Sequence, residues 1–266
     1  MRNKSEMDMD KIKIIEITPD NIMEYGVCGY KNTKKEGYPE KVSWIEKNYP
    51  KGLRIKSILT EKDGIQGMIE YIPGEYCWRP VEASGYIFIH CLFVGFKNSY
   101  KHKGYASMLI DECMKEAKEQ NKNGVAIVTR KGSFMVGNEI FLKKGFEIVD
   151  TAPPDFDLLV TKYKKNVASP KFKNDWNKKL TKYKNGLTII RADQCPYTKK
   201  NVNEIVETSK KTFGITPVII ENKNHNEAQK SPCAFGSFCI IYNGEIMSYH
   251  PISNTRFTNI MNSLLN

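Results

Sequence analysis

The chain has 266 residues, of which 40% are hydrophobic and 27% charged, and a formal net charge of +11. That length suits two ordinary domains with two hydrophobic cores, and that composition excludes a disordered or fibrous chain. The cation excess raises nucleic-acid binding, but the lysines are interleaved with acids along the chain instead of clustered with aromatics. A solvated basic surface is the reading adopted, with no nucleic-acid partner.

The longest apolar run, residues 86–96, contains His90 and falls well short of the roughly 20 residues needed to cross a bilayer, so no membrane span is expected. The first eleven residues mix both signs of charge with no apolar stretch, unlike a secretory signal, and point to the cytoplasm. Cys28, Cys77, Cys91, Cys113, Cys195, Cys233 and Cys239 lack the spacing of a disulfide framework, and His90, His102, His225 and His250 are scattered. Reduced thiols and no metal are expected.

In chain order, the pattern predicts a β-branched strand over 11–17, a helix from Thr18-Pro19-Asp20 to residue 25, and a helix over 39–48 with Val42, Trp44 and Ile45. Strands over 53–60 and 65–72 flank the hairpin turn Asp63-Gly64, and a strand fills 85–95. Residues 104–120 form the clearest helix, with Ala106, Leu109, Cys113 and Ala117 on one face. Then come a strand over 124–129, a helix over 133–144 stopped by Gly145, and strands over 146–149 and 156–162. Residues 163–184 are lysine-rich and poor in aliphatics, which marks a linker, with Trp176 expected to pack on a domain. Beyond it lie a strand over 187–191, a helix over 199–212, a strand over 215–220, a polar helical piece over 224–230, strands over 237–242 and 245–250 joined at Asn243-Gly244, and a helix from Ser253.

The junction between strand 85–95 and helix 104–120 carries the chemistry. Lys101, His102, Lys103, Gly104, Tyr105 and Ala106 sit at a strand-to-helix turn, where backbone N–H groups and a helix N-terminus face one point, a geometry that binds phosphate. Gly104 admits close approach of a ligand, and Lys101, His102 and Lys103 supply positive charge. An ordinary basic loop has the same spacing, and the residues alone leave the two readings equal.

With the element order and IFLKKGF at 140–146, this loop resembles the pyrophosphate loop of GNAT superfamily N-acetyltransferases, Gln/Arg-x-x-Gly-x-Gly/Ala. Lys101 stands where that family has Gln or Arg, and the connection from Val94 is slightly long. The resemblance covers roughly residues 10 to 165. It implies an α+β fold with a mixed sheet flanked by helices, acetyl-CoA as cosubstrate and an amine as acceptor. It also implies that Leu92, Phe93 and Val94 line the pantetheine while Lys101, His102, Lys103, Gly104, Tyr105 and Ala106 hold the diphosphate. Many family members place a Tyr four residues before the last Gly-Phe pair; here that position is Phe141, which removes the commonest acid for the leaving thiolate. Phe134 stands where an Asn is common, with Asn138 about one turn later.

His90, read as sharing a side of its strand with Leu92, is the candidate base, with Glu70 on the neighbouring strand. A core histidine satisfied by a hydrogen bond is an equal alternative. Strand alternation puts Cys91 on the other side, which disfavours an acyl-cysteine route. Glu70, Glu75 and Glu82 would suit a cationic amine.

The βαβ…ββα order after residue 186 resembles a smaller thioredoxin-like α/β domain, and the unit resembles the YoaP-type domain that follows some GNAT domains. Cys195-Pro196-Tyr197-Thr198 stands where glutaredoxins carry Cys-Pro-Tyr-Cys, and Thr198 removes the resolving thiol. The place of the usual cis-proline is open between Pro232 and Gly236. Cys195 is the redox candidate, and its position at a helix entry predicts a lowered thiol pKa, opposed by Asp193. The expected division is residues 1–165, a basic linker over 166–185, and 186–266. Two functions are in play: an acetyl-CoA-dependent N-acetyltransferase acting on a primary amine of a small molecule, amino acid or protein, or a thiol-redox or CoA-sensing protein acting through Cys195. The intact loop favours the first, and homo-oligomer formation is left open.

Overall fold

The computed structural model describes residues 12–30 and 34–265, so Lys11 and the charged N-terminal stretch lie outside the described residues. Three antiparallel strands come first: β1 (Ile12–Ile17), β2 (Arg54–Thr60) and β3 (Gly64–Pro73), with helices α1 (Ile22–Tyr25) and α2 (Tyr38–Asn48) between the first two. After the short β4 (Val81–Glu82), the unit β5 (Ile87–Val94), α3 (Tyr105–Glu119) and β6 (Gly124–Thr129) places two parallel strands at the sheet centre. The one-turn α4 (Glu139–Leu142) leads to the antiparallel pair β7 (Glu147–Ala152) and β8 (Phe156–Lys162). The resulting seven-stranded sheet has the order β1-β2-β3-β5-β6-β8-β7. Its central strand β6 is buried throughout, as expected of a strand covered on both faces. The stripe Leu109, Ile110, Cys113 and Ala117 of α3 covers one of those faces.

Next, β9 (Lys171–Phe172) pairs with β4 and leads into α5 (Trp176–Leu180). The smaller sheet is built from β10 (Leu187–Arg191), α6 (Tyr197–Phe213), β11 (Val218–Glu221), α7 (His225–Ala228), β12 (Phe238–Tyr242), β13 (Glu245–Ser248) and α8 (Asn254–Leu265). Its order is β11-β10-β12-β13, with β10 parallel to β11 and antiparallel to β12.

Two expectations change: the helix over 133–144 and the division of the two cores. The helix over 133–144 shrinks to α4, because Phe134 is left-handed at φ 62° and the turn does not close until Asn138. In the segment 166–185, β9 joins a two-stranded ribbon with β4, and Trp176 packs edge-on against Phe172 at 6.0 Å. The buried side chains do fall into two clusters, but these divide by the face of the large sheet. One lies under α3. The other runs without a break from Trp44, Trp78 and Phe88 into Ile189, Phe238 and Phe257 of the smaller sheet.

Two irregularities of β5 set the geometry along its edges. It pairs with β6 only at Ile87–Val125, Phe88–Ala126 and Ile89–Ile127, then runs on to Val94 alone on that edge, so the central strands part. On its other edge, Glu70 faces Cys91 while Tyr71 faces Ile89, leaving His90 as the extra residue of a β-bulge.

Candidate active site

Where β5 and β6 part, the loop into α3 closes a cavity of about 380 Å³ lined by Val94, Lys101, His102, Lys103, Gly104, Tyr105 and Ala106, with Ser107 and Ile140. The sequence-derived loop is thus one continuous wall. Gly104 has φ +82° and a Cβ added to it would meet nothing within 4 Å, so the turn is left-handed and its outer face is open. The N–H groups of the first turn of α3, which have no partners inside the helix, face this space. Beyond Ile89 the free edge of β5 offers further backbone donors and acceptors to an extended chain. These features fit a cosubstrate with a diphosphate and a peptide-like arm. Of the three strand residues assigned to that arm, Val94 borders the cavity, Leu92 packs among the α3 cluster, and Phe93 is turned outward against Phe96 at 4.7 Å. A larger cleft of about 770 Å³, between β4, β9 and α7, contains Glu82, Asp150, Lys171 and Lys230 but none of the residues of the loop.

On the opposite face of β5 lies a buried polar hub. The face of α2 that carries Tyr38 and Ile45 also carries Lys41, fully buried, whose ammonium is ion-paired to Glu70 on β3. The other carboxylate oxygen of Glu70 accepts from the Gln194 amide at 3.0 Å and lies 3.4 Å from His90 Nδ1. Burial alone would raise the Glu70 pKa, but Lys41 and His90 outweigh it and hold the carboxyl down at about 2. His90 Nε2 accepts the Trp78 N–H at 2.9 Å, so its proton is on Nδ1, towards Glu70. Burial lowers the His90 pKa to about 4; its Nε2 is taken by the Trp78 N–H, and its Nδ1 lies 3.4 Å from Glu70. Neither residue is poised as a base: His90 has no free lone pair, and Glu70 is too weakly basic.

Stability should therefore depend on acid. The unfolded chain protonates His90 below the ordinary value of 6.5 while the folded one resists until about 4, so stability is lost as pH falls through that window. His90→Gln should flatten the decline of the urea midpoint between pH 6.5 and 4. An undiminished decline would place the sensitive group elsewhere.

The bulge also reverses the orientation expected for Cys91. Instead of pointing away from His90, Cys91 lies beside the hub within the influence of Glu70, Lys41 and Arg79, while Leu92 goes to the α3 side. His90 and Leu92 are consequently on opposite faces. Cys28, from the segment after α1, and Cys195, ahead of α6, join Cys91 there, and all three are partly exposed free thiols. The lowered pKa expected for Cys195 is not found: burial raises it, outweighing the backbone N–H of Tyr197. Burial also raises Cys28, and pushes Cys91 up to about 12. Native-state alkylation near neutral pH should thus be slow at all three and slower still at buried Cys77, Cys113, Cys233 and Cys239. Rapid, selective labelling of Cys195 in peptide mapping would contradict this.

The smaller domain supplies much of this face. Arg79, between Trp78 and Pro80, donates to Gln194 Oε1 at 3.1 Å, Ser237 Oγ at 3.0 Å and the His90 carbonyl at 3.3 Å. Tyr197 donates to the Cys28 carbonyl at 2.6 Å, and Lys199 is ion-paired to Glu40. Gly236, at φ +71°, lies so close to the Trp78 carbonyl that an added Cβ would stand 2.3 Å from its oxygen, which leaves room for no other residue. No cis proline precedes β12 among the described residues. Glu75 and Glu82 do not join Glu70: one accepts from the Gly85 N–H, and the other lies near Lys171.

Comparison with known proteins then places the chain. It is 30% identical over 254 residues to YoaP of Bacillus subtilis, an uncharacterized N-acetyltransferase, covering 94% of this chain and 98% of that one. The chain belongs to the YoaP family of N-acetyltransferases. A YoaP-like family model matches residues 218–259, from β11 into α8. Among solved structures, a GNAT family acetyltransferase from Brucella melitensis in complex with acetyl-CoA is 13% identical, with 60% of this chain and 93% of that chain covered and a TM-score of 0.39. PaiA N-acetyltransferase from Thermoplasma acidophilum in complex with coenzyme A is 20% identical, with 57% and 99% covered and a TM-score of 0.38. In this member of the family, no described helix is long and apolar enough to cross a membrane, and no described group of His, Cys, Asp and Glu could hold a metal ion.

Sequence reasoning missed Lys41, Gln194 and Ser237. Lys41 had a signal: it stands at i+3 from Tyr38 and i−4 from Ile45, on the apolar stripe of α2. A lysine there requires a buried partner, and Glu70, set in the apolar run of β3, was available.

Proposed function

We propose that the chain transfers the acetyl group of acetyl-CoA to a primary amine, with the smaller domain forming one wall of the acceptor side. The observation that supports this most is the open left-handed turn at Gly104, set at the mouth of the gap between β5 and β6. Acetyl-CoA supplies the thioester. Lys101 and Lys103 balance phosphate charge, and the α3 N–H groups orient the diphosphate. The free edge of β5 beside the bulge presents N–H donors to the thioester carbonyl.

Glu70 and His90 act as positioning residues in this scheme, because the His90 lone pair accepts the Trp78 N–H and the Glu70 carboxylate is held by Lys41 and Gln194. Loss of the amine proton is assigned to water in the cleft. Cys91 stays a protonated thiol beside the hub, its pKa held up by burial. The smaller domain, read as thioredoxin-like from its strand order, holds the segment after α1 through Tyr197 and the hub through Gln194.

The test is release of free CoA from acetyl-CoA across a panel of primary amines. Release with at least one amine, and none without protein, is expected. No release with any amine, together with an unchanged melting temperature at millimolar acetyl-CoA, overturns the reading.

A further inference from the structure

The extra residue of the β5 bulge is gripped from outside its own strand. Trp78 and Arg79 are consecutive, and between them they hold His90 twice: the Trp78 N–H donates to its ring at 2.9 Å, and the Arg79 guanidinium donates to its carbonyl at 3.3 Å. The His90–Cys91 peptide is trans and planar. A His90 carbonyl fixed on Arg79 therefore fixes that whole plane and sends the Cys91 N–H the opposite way. The orientation of the plane sets the direction of the main-chain groups beside the bulge.

Residues 78 and 79 are in turn backed by the smaller domain. An added Cβ at Gly236 would stand 2.3 Å from the Trp78 carbonyl oxygen and 2.9 Å from the Arg79 Cα, and the Phe235 ring lies 4.7 Å from the guanidinium. Ser237 Oγ accepts from Arg79 at 3.0 Å and donates at 3.0 Å to Gln194 Oε1, which accepts from Arg79 at 3.1 Å. The Gln194 amide then reaches Glu70, on the strand paired with β5. The same domain also meets α2, which carries Lys41: an added Cβ at Gly37 would stand 1.9 Å from the Pro196 carbonyl oxygen, and Lys199 and Asn203 bind Glu40 and Glu36. None of these residues borders the cavity at the Gly104 loop.

We propose that Gln194 and Ser237 of the smaller domain are positioning residues for acetyl transfer: they hold Arg79, and through it the His90–Cys91 peptide, in the orientation that aims the edge of β5 at the thioester. The inference rests on the acetyltransferase reading above. Binding of acetyl-CoA then depends on the loop at Gly104, and the rate of transfer depends on the smaller domain. A misplacement of about 1 Å at such a point costs up to about a hundredfold in rate.

The experiment measures kcat, the KM for acetyl-CoA and the melting-temperature rise with acetyl-CoA in the whole chain carrying Ser237→Ala, Ser237→Thr or Gln194→Leu. Turnover is read with an amine that the wild type acetylates, well below each variant's melting temperature. Ser237→Ala and Gln194→Leu are expected to lower kcat by about tenfold or more, while KM for acetyl-CoA stays within about twofold and the melting-temperature rise is kept. Ser237→Thr, which keeps the hydroxyl, should recover most of the loss. Should Gln194→Leu not fold, the two Ser237 variants decide. Wild-type kcat in folded Ser237→Ala overturns the proposal and leaves the acetyltransferase reading standing. A fall in kcat matched by loss of the acetyl-CoA melting-temperature rise also overturns it, since that marks general damage to the fold. If the wild type acetylates no amine, the acetyltransferase reading fails and the proposal falls with it.

Discussion

Lys41→Met should destabilise the protein by about 3 to 5 kcal/mol, because it leaves the Glu70 carboxylate buried without its cation. The loss should reach beyond one pair. Glu70 also anchors Gln194 and His90, so a protonated or displaced Glu70 weakens the contact between the two sheets. The companion variant Lys41→Met with Glu70→Leu should recover most of the stability, since well-packed apolar groups replace a buried ion pair at little cost. Urea unfolding of the single and double variants measures both effects. A Lys41→Met protein within about 1 kcal/mol of wild type would show that Glu70 is not ionised in the fold.

The second large effect belongs to Gly104. Acetyl-CoA should raise the melting temperature of the wild type, by the equivalent of about 2.7 kcal/mol when present at a hundred times its dissociation constant. Gly104→Asp should abolish this rise. The side chain itself meets only open space, so the variant folds at a cost of about 1 to 2 kcal/mol for the left-handed backbone. What it loses is the ligand, which would meet a carboxylate at the place prepared for its diphosphate. Gly104→Asn, which tolerates the turn and adds no charge, should keep part of the shift. A full shift in Gly104→Asp would move the diphosphate away from this loop.

The parts of this molecule that the sequence discloses are those fixed by neighbours in the chain. The α3 helix, the Asp63-Gly64 hairpin and the Lys101-to-Ala106 loop each depend on a few adjacent residues, and each is found where periodicity and turn chemistry put it. The helix expected over 133–144 fails because apolar spacing is blind to the left-handed backbone of Phe134, whose ring stacks on His250 of the smaller domain at 6.2 Å. Cys91 was assigned to the wrong face because strict alternation holds only without a bulge, and nothing local to β5 announces one. The hub lies furthest from view. Gln194 reaches Glu70 across 124 residues and Ser237 reaches Arg79 across 158, separations at which no local pattern survives. The hub is therefore a property of the two sheets as assembled, with Lys41, Glu70 and Arg79 from one and Gln194 and Ser237 from the other.

The unbroken apolar cluster between the two sheets has a consequence during synthesis. The segment that carries β10 to α8 leaves the ribosome after the larger sheet has its full complement of strands. Until then the apolar cluster around Trp78 and Phe88 lacks its members Ile189, Phe238 and Phe257, and Arg79 lacks Gln194 and Ser237. A translational pause or premature stop near residue 186 would thus leave a half-finished polypeptide with a sticky, positively charged flank, a natural client for chaperones and a natural target for proteolytic quality control.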